Sequence, residues 1–452
     1  MAKKRKEEPK VKESAKIALL TRIRKRVKVM MDADDENRRD ALEDMKFVNV
    51  PGAQWDANMK RERGDRPCNE YNKLRITCKR IINDMRANRP AGKVRGVEDS
   101  DKEVAEIYAG LIRNIWNSSD GDTVIDYAAE YQVSAGMGAW RISSKYAHAD
   151  AFEQDLVVEP LQNPFCLWWD PAAKDSLKRD AMDCAVIDRI SKSSYETRWP
   201  NKELVSWKSS EFDDEGEWED DESVRIAEYW YKELVDKELW QLQDGKVIDA
   251  ASDEAPLIDP ALIRRKRQAK CYTVRMAIAS RESILEESEW AGSHLPFVSV
   301  YGEHMVIDGK PRWFGLVRFA KDAQRAYNVA RTAITEKVAM APQAKWWATA
   351  NQAKGHTEKW AEAHQKNFPF LLYNADAQAG GPPIPMPSDP VPAALVQESM
   401  LASEEIKGVT GIFDSSLGQE ANEKSGRAII ARQQQGEIAT FNYQDNMAKG
   451  IR

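Results

Sequence analysis

The run FGLVRFAKDAQRAYNVARTAITEKVAMA, residues 314–341, constrains the fold of this chain more than any other stretch. Leu316, Ala320, Ala323, Tyr327, Ala330, Ile334, Val338 and Ala341 recur at helical spacing, which predicts one uninterrupted helix of about seven turns. Alanine fills most of that face. So thin an apolar stripe does not fill a domain core, and it suits close approach to another helix. The opposite side carries Arg318, Asp322 and Arg325. Downstream, PQAKWWATANQ and FPFLLYN read as two short strands around a helix HTEKWAEAHQKN, and GGPPIPMPSDP reads as a stiff connector. A second helix follows, with Asp389 as its cap, Pro392 in its first turn and Leu395, Ala402, Ile406 and Val409 in register until Gly408 and Gly411 break it. The pattern is helix, small insert, returning helix.

Upstream, SAKIALLTRIRKRVKVMMDADDENRRDALEDMKFV carries Ile17, Leu20, Ile23, Val27 and Met30 at helical spacing. Ser14 is available as an N-cap, and the acidic middle predicts a break into two helices. A helix fits Asn72 to Asn88 and ends at Arg89-Pro90, and a helical pair is expected from Lys102 to Trp116 and from Thr123 to Ser134. From Gly136 to about Val300 the period changes to short alternating runs such as MGAWRISSKY, LVVEPL, AMDCAVIDRI and CYTVRMAIAS, with Asp244-Gly245 as a hairpin turn. The fold class is therefore α+β, mainly α.

Length and charge narrow the function. A chain of 452 residues has room for about three domains, and its formal charge is −6 with a pI near 5.7. A protein that grips nucleic acid usually presents a basic face, because phosphate neutralisation supplies most of the affinity. This acidic balance disfavours a DNA-binding regulator and restricts such contact to local patches: KKRK, RIRKRVK (Arg22 to Lys28) and IRRKRQAK (Ile263 to Lys270). No stretch approaches a membrane span, and MAKKRKEEPKVKES lacks the apolar region of a signal peptide, so a chain retained in its cell and off the membrane is expected. Cys68, Cys78, Cys166, Cys184 and Cys271 are odd in number and widely spaced, which predicts reduced, buried thiols rather than disulfides or a zinc ribbon.

No catalytic constellation stands out. There is no P-loop, no Gly-x-Ser-x-Gly and no His-Glu-x-x-His, and His148, His294, His304, His356 and His364 are scattered; the GMG at Gly136 to Gly138 is too short a signal for phosphate binding. The acidic EFDDEGEWEDDE, 211–222, lacks the spacing of a calcium loop and reads as a solvated insertion. Neither catalysis, a cofactor nor a metal is expected. In Trp346-Trp347, adjacent strand positions point to opposite faces, so one ring is expected in the core and the other free for a partner. NEKSGRAIIARQQQGE, 422–437, is unusual because RQQQGE offers no apolar side chain on any helical face, so something polar must surround it.

Several separated motifs together resemble the portal proteins of short-tailed bacteriophages. LPFVSVYGEHMVIDGKPRWFGLVRFAKDAQRAYNVARTAITE looks like the segment by which such portals enter their stem, with Gly315-Leu316-Val317-Arg318, Asp322, Gln324-Arg325 and Asn328 in the expected places. GAQWD (Gly52 to Asp56), RPCNEYNKL (Arg66 to Leu74), NDMRANRPAGKV (Asn83 to Val94), the Asp-Pro of FCLWWDP and NEKSGRAIIARQQQGE are similar to motifs of the same family, in the same order. The resemblance covers about 45–450.

That resemblance implies a dodecameric ring with a central channel at one capsid vertex. Residues 1–44 would be a basic tail and helix, 45–313 the wing (helical, then β-rich from about 136), 314–341 and 391–410 the stem helices, 342–390 the clip, and 411–452 a channel loop and wing helix. The chain stops at Arg452 in a helical pattern, so a C-terminal crown or barrel is expected to be absent. Arg318, Asp322, Arg325, Arg331 and Lys337 would belong to the stem and channel. Gln419, Glu420, Asn422, Lys424, Arg427 and Arg432 would line the channel loop and wing helix, and Trp346, Trp347 and Trp360 would serve partners at the clip. A helix between a hydrated channel and the next subunit has no dry face to fill, which accounts for RQQQGE. The implied partners are further copies of the chain, the major capsid protein, scaffold, the terminase large subunit, a head-tail adaptor and double-stranded DNA passing without sequence specificity. The implied location is the virion, after assembly in the host cytoplasm. Another viral ring or shell component, a tail adaptor or scaffold, is the alternative, and the helix-insert-helix element separates the two.

Overall fold

The computed structural model describes residues 4–96, 102–206, 223–252, 255, 258–340, 346–362, 368–377, 379–385, 392–412 and 440–452. Helices α1 (Lys4–Asn49), α2 (Ala57–Arg63), α3 (Lys73–Ala87), α4 (Lys102–Ser118) and α5 (Gly121–Ala135) come first. Strands β1 (Met137–Tyr146), β2 (Gln154–Pro160), β3 (Leu167–Trp169) and β4 (Asp183–Ser191) follow, then α6 (Lys192–Arg198). The β-rich stretch continues with β5 (Ser223–Leu242), β6 (Val247–Asp249), β7 (Ile263–Ala279), β8 (Ile284–Trp290), β9 (Phe297–Tyr301), β10 (Glu303–Ile307) and β11 (Lys310–Phe314). Last come α7 (Val317–Met340), β12 (Trp346–Trp347), α8 (Ala350–Ala353), α9 (Thr357–Glu362), β13 (Ile384–Pro385), α10 (Ala393–Thr410) and α11 (440–451). Every ladder among the described residues is antiparallel. The fold is α+β and mainly helical, as the periodicities indicate.

The chain divides into two units, one of residues 1–44, 81–318 and 440–452 and one of 45–80 and 319–439. In the first, a sheet of order β3-β4-β5-β7-β8, with β6 on β5, carries most of the strands, and β2-β1-β9 forms a smaller sheet. Leu20, Ile23, Val27 and Met30 of α1 pack on Trp168, Ala185, Ala227, Tyr229, Tyr231 and Ala277. The small Ala185, Ala227 and Ala277 give the helix room to approach the strands, and each buried aliphatic side chain contributes about 1.5–3 kcal/mol. Arg26 reaches past this apolar stripe to Asp183 (2.7 Å) and Asp170 (2.8 Å).

The expected break in α1 does not occur, and Ser14 lies inside the helix rather than capping it. The acidic middle finds partners instead. Asp34 accepts from Arg38 one turn on at 2.8 Å and from the Trp313 indole at 3.0 Å, Asn37 donates to the Pro311 carbonyl, and Arg312 pairs with Asp40. Polar residues that read as a linker are satisfied along a helix flank, where no proline or glycine forces an end.

Other boundaries moved for local reasons. α7 starts at Val317 rather than Phe314, because Phe314 closes β11 and the Leu316 amide donates to the Val133 carbonyl. The Gly136 and Gly138 of GMG serve packing. Gly136 ends α5 with φ +100°, and a Cβ there would lie 2.4 Å from the Phe314 carbonyl carbon; at Gly138 it would meet the Ala128 oxygen. The hairpin at Asp244-Gly245 forms as expected, with Gly245 at φ +89°. FPFLLYN is not a strand; β12 pairs instead with Ile384–Pro385 of the proline-rich stretch. α10 runs through Gly408 to Thr410 and stops at the left-handed Gly411, with Pro392 at its N-cap position; Asp389 lies outside the described residues. All five cysteines are free, Cys78 and Cys184 buried and the others partly exposed.

Candidate functional site

α7 is held by a polar clasp. Residues 45–80 run alongside it, and beside the buried Ala320 and Ala330 the helix also buries the polar Lys321, Gln324, Asn328 and Thr332. Gln324 Oε1 accepts from the Lys73 and Leu74 amides at 3.0 and 3.3 Å, while its Nε2 donates to the Tyr71 carbonyl and to Asn328 Oδ1. Asn328 Oδ1 also accepts from the Tyr71 amide, and Asn328 Nδ2 donates to Gln54 Oε1 at 2.6 Å. Gln54 in turn donates to the Phe47 carbonyl, and its amide and that of Gly52 share the Glu70 carboxylate at 2.7 Å each. The Trp55 indole and the Thr332 hydroxyl both donate to the Asn69 carbonyl. The motifs GAQWD, RPCNEYNKL and DAQRAYN thus form one constellation. It fixes the axial register of α7, because each amide side chain matches a particular backbone group.

The charged residues expected on the stem are placed unevenly. Arg318 pairs with Asp44 at 3.0 Å, Asp40 at 3.5 Å and Glu43 at 3.6 Å, so it binds α1. Arg325 reaches Asp56 at 3.0 Å and lies over the Phe47 ring, and Arg331 lies over Tyr71. Asp322 is 95% exposed beside Arg325, and Lys337 is exposed. Three of the five residues therefore hold the helix in place, and Asp322 and Lys337 face solvent. Gln419, Glu420, Asn422, Lys424, Arg427 and Arg432 lie outside the described residues, as does 211–222.

In the insert, Trp346 meets Trp360 edge to face at 5.8 Å, and the Trp360 indole donates to the Leu372 carbonyl. Neither tryptophan of the pair is core: Trp346 is 38% and Trp347 61% exposed. A two-residue strand has nothing on either face to bury both rings. Gln352 closes the capping box of α8 with Thr349 and donates to the Gly381 carbonyl, so a buried amide does the work of a core here.

The buried polar seam was the feature that apolar periodicity missed. Its signal was present, since Gln324, Asn328 and Thr332 recur every fourth residue, but uncharged amides at that spacing read as a solvent face when only hydrophobicity is counted. A second charged group lies in the first unit. The Asp183 hydrogen bond and charge raise the Arg26 pKa against the opposing effect of burial, and burial beside Asp183 pushes the Tyr229 phenol, which donates to Asp183 at 2.6 Å, above its ordinary value. Burial likewise pushes the Cys166 thiol up to about 12, leaving it unreactive as a nucleophile. Among the described residues no three His, Cys, Asp or Glu side chains gather to hold a metal, and no helix is long and apolar enough to cross a membrane.

The family model for the phage P22-like portal protein matches residues 24–452, and the chain belongs to that family. It is also similar to a portal protein of Acyrthosiphon pisum secondary endosymbiont phage 1, at 26% identity over 446 residues. That match takes in 92% of this chain and 61% of the relative, so the chain spans about three-fifths of the relative's length.

Proposed function

We propose that the chain is a portal subunit, assembling with copies of itself into a ring at one capsid vertex whose central channel passes DNA during packaging and ejection. The observation that carries this reading is the span of the family match, 24–452, which takes in both long helices and the insert between them. α4 supports assembly: Val104, Ile107, Tyr108, Leu111 and Ile112 form one exposed apolar row, with Ile107 at 63%, and such a row calls for a neighbouring copy. In this reading α7 and α10 are the stem, 342–390 is the clip, and 45–313 is the wing. Lys337 and Asp322, which is exposed while pairing with Arg325 at 3.4 Å, are the expected stem residues turned toward the channel or the next subunit in this reading, and Trp347 is the clip side chain best placed for terminase or a tail adaptor. The channel itself performs no hydrolysis, and the acidic chain charge keeps passing DNA from being held.

The experiment is replacement of residues 343–387 by a short Gly/Ser linker. The insert makes its described hydrogen bonds largely within itself, such as Thr349 to Asp376 and Asn374 to the Lys354 carbonyl. Circular dichroism should therefore show a folded protein, while co-sedimentation with terminase is lost. Retained terminase binding would place docking elsewhere.

A further inference from the structure

β5 and β7 pair from Ala227↔Ala279 out to Gln241↔Arg265, well beyond the strands that flank them. β8 covers β7 only from Val274 to Ala279, so among the described residues the outer edge of β7 from Ile263 to Thr273 has no neighbouring strand. That edge is basic. Arg264, Arg265, Lys266, Arg267 and Lys270 are all exposed. Arg265 donates to Gln241 and Lys266 lies over Trp240, but Arg264, Arg267 and Lys270 make no ion pair among the described residues. Charged residues on a free edge ordinarily guard it against stray pairing; a run of one sign also selects what can pair there.

The chain holds one segment of matching chemistry. Residues 211–222 contain nine carboxylates and no lysine or arginine. The two ends of the intervening segment are tied together, since Ser206 Oγ accepts from the Arg225 amide at 3.1 Å and Ser223 pairs with Ser191. Reach then decides between the same chain and another. Lys270, the nearest cation, sits opposite Asp236, roughly 13 residues and about 40 Å along β5 from Ser223. A segment leaving and returning at one place, 207–222, extends at most about 27 Å. Even with about 10 Å added for the two side chains, it falls short of Arg264, Lys266 and Arg267 of its own subunit, because Arg267, the nearest of the three, sits opposite Leu239, roughly 16 residues and about 53 Å along β5 from Ser223.

We propose that the basic outer edge of β7, Arg264 to Lys270, receives the acidic residues 211–222 of a neighbouring copy of this chain. The inference rests on the ring reading and gives it a contact. Donor and receiver lie at opposite ends of the β5–β7 ribbon, which makes the contact head-to-tail, the kind that closes into a ring.

The test is zero-length carbodiimide cross-linking of unlabelled and heavy-isotope-labelled full-length chains mixed before assembly, with native mass spectrometry on the same sample. Cross-links between Lys266 or Lys270 and carboxylates of 211–222 are expected in mixed-isotope pairs. The double change R264E and R267E, which leaves both lysines in place, should lower their yield about tenfold, and adding E217K and E219K to the same chains should restore it. Rings without these cross-links, or with same-isotope links alone, would overturn the inference and leave the ring reading standing. Protection of Lys266 and Lys270 by added duplex DNA, with no inter-chain links, would make the edge a polyanion site instead. Finding no oligomer at all would remove both readings.

Discussion

Gln324 and Asn328 are the side chains on which the placement of α7 depends most. Replacing Gln324 with leucine keeps the volume but leaves the Lys73 and Leu74 amides and the Tyr71 carbonyl without the partners they now have. Unsatisfied buried groups cost about 1–3 kcal/mol each, so Q324L should destabilise by about 3 kcal/mol in urea unfolding. A loss below about 0.5 kcal/mol would mean the seam is not a lock. His304 makes a pH prediction. Burial, then the nearby Lys178, lowers its pKa below 6.5, with Asp34 opposing. The folded state therefore resists the proton that the unfolded chain accepts. The resulting stability is fully present above about pH 6.5 and is lost as pH falls toward the folded value. H304F should lose less melting temperature between pH 7.5 and 5 than the unchanged chain.

At the scale of elements, what the sequence revealed depended on which periodicity carried the information. Apolar spacing placed the α1 contacts Leu20, Ile23, Val27 and Met30, which is why I23A should cost about 2–5 kcal/mol in the same unfolding assay. It also located the β-rich stretch and both long helices. It failed where polar groups do the packing: α1 was expected to break at residues whose partners, Pro311, Arg312 and Trp313, lie far along the chain, and the Gln324 seam was hidden behind an alanine stripe. The partner of β12 was missed because Pro385 argues against a strand, though an edge position accepts it. The two tight glycines separate strain from crowding. G245A, where nothing lies within 4 Å of the new Cβ, meets only the cost of φ +89°, whereas G136A also drives a Cβ into the Phe314 backbone. Thermal unfolding should show G245A losing about 1 kcal/mol and G136A more than about 2. Equal losses would mean the approach of α5 to residues 314–315 is looser than drawn.

For the whole molecule, exposed apolar rows and opposed charges are what the proposed ring would make use of. The α4 row and the β7 edge would be liabilities on a monomer. In the proposed ring they would become its contacts, and the clasped α7 would be a stiff element of the proposed stem. Electron microscopy of the purified chain tests that account most directly. It predicts closed rings, dodecameric and with a central hole; a field of compact monomers or open filaments at micromolar concentration would contradict it.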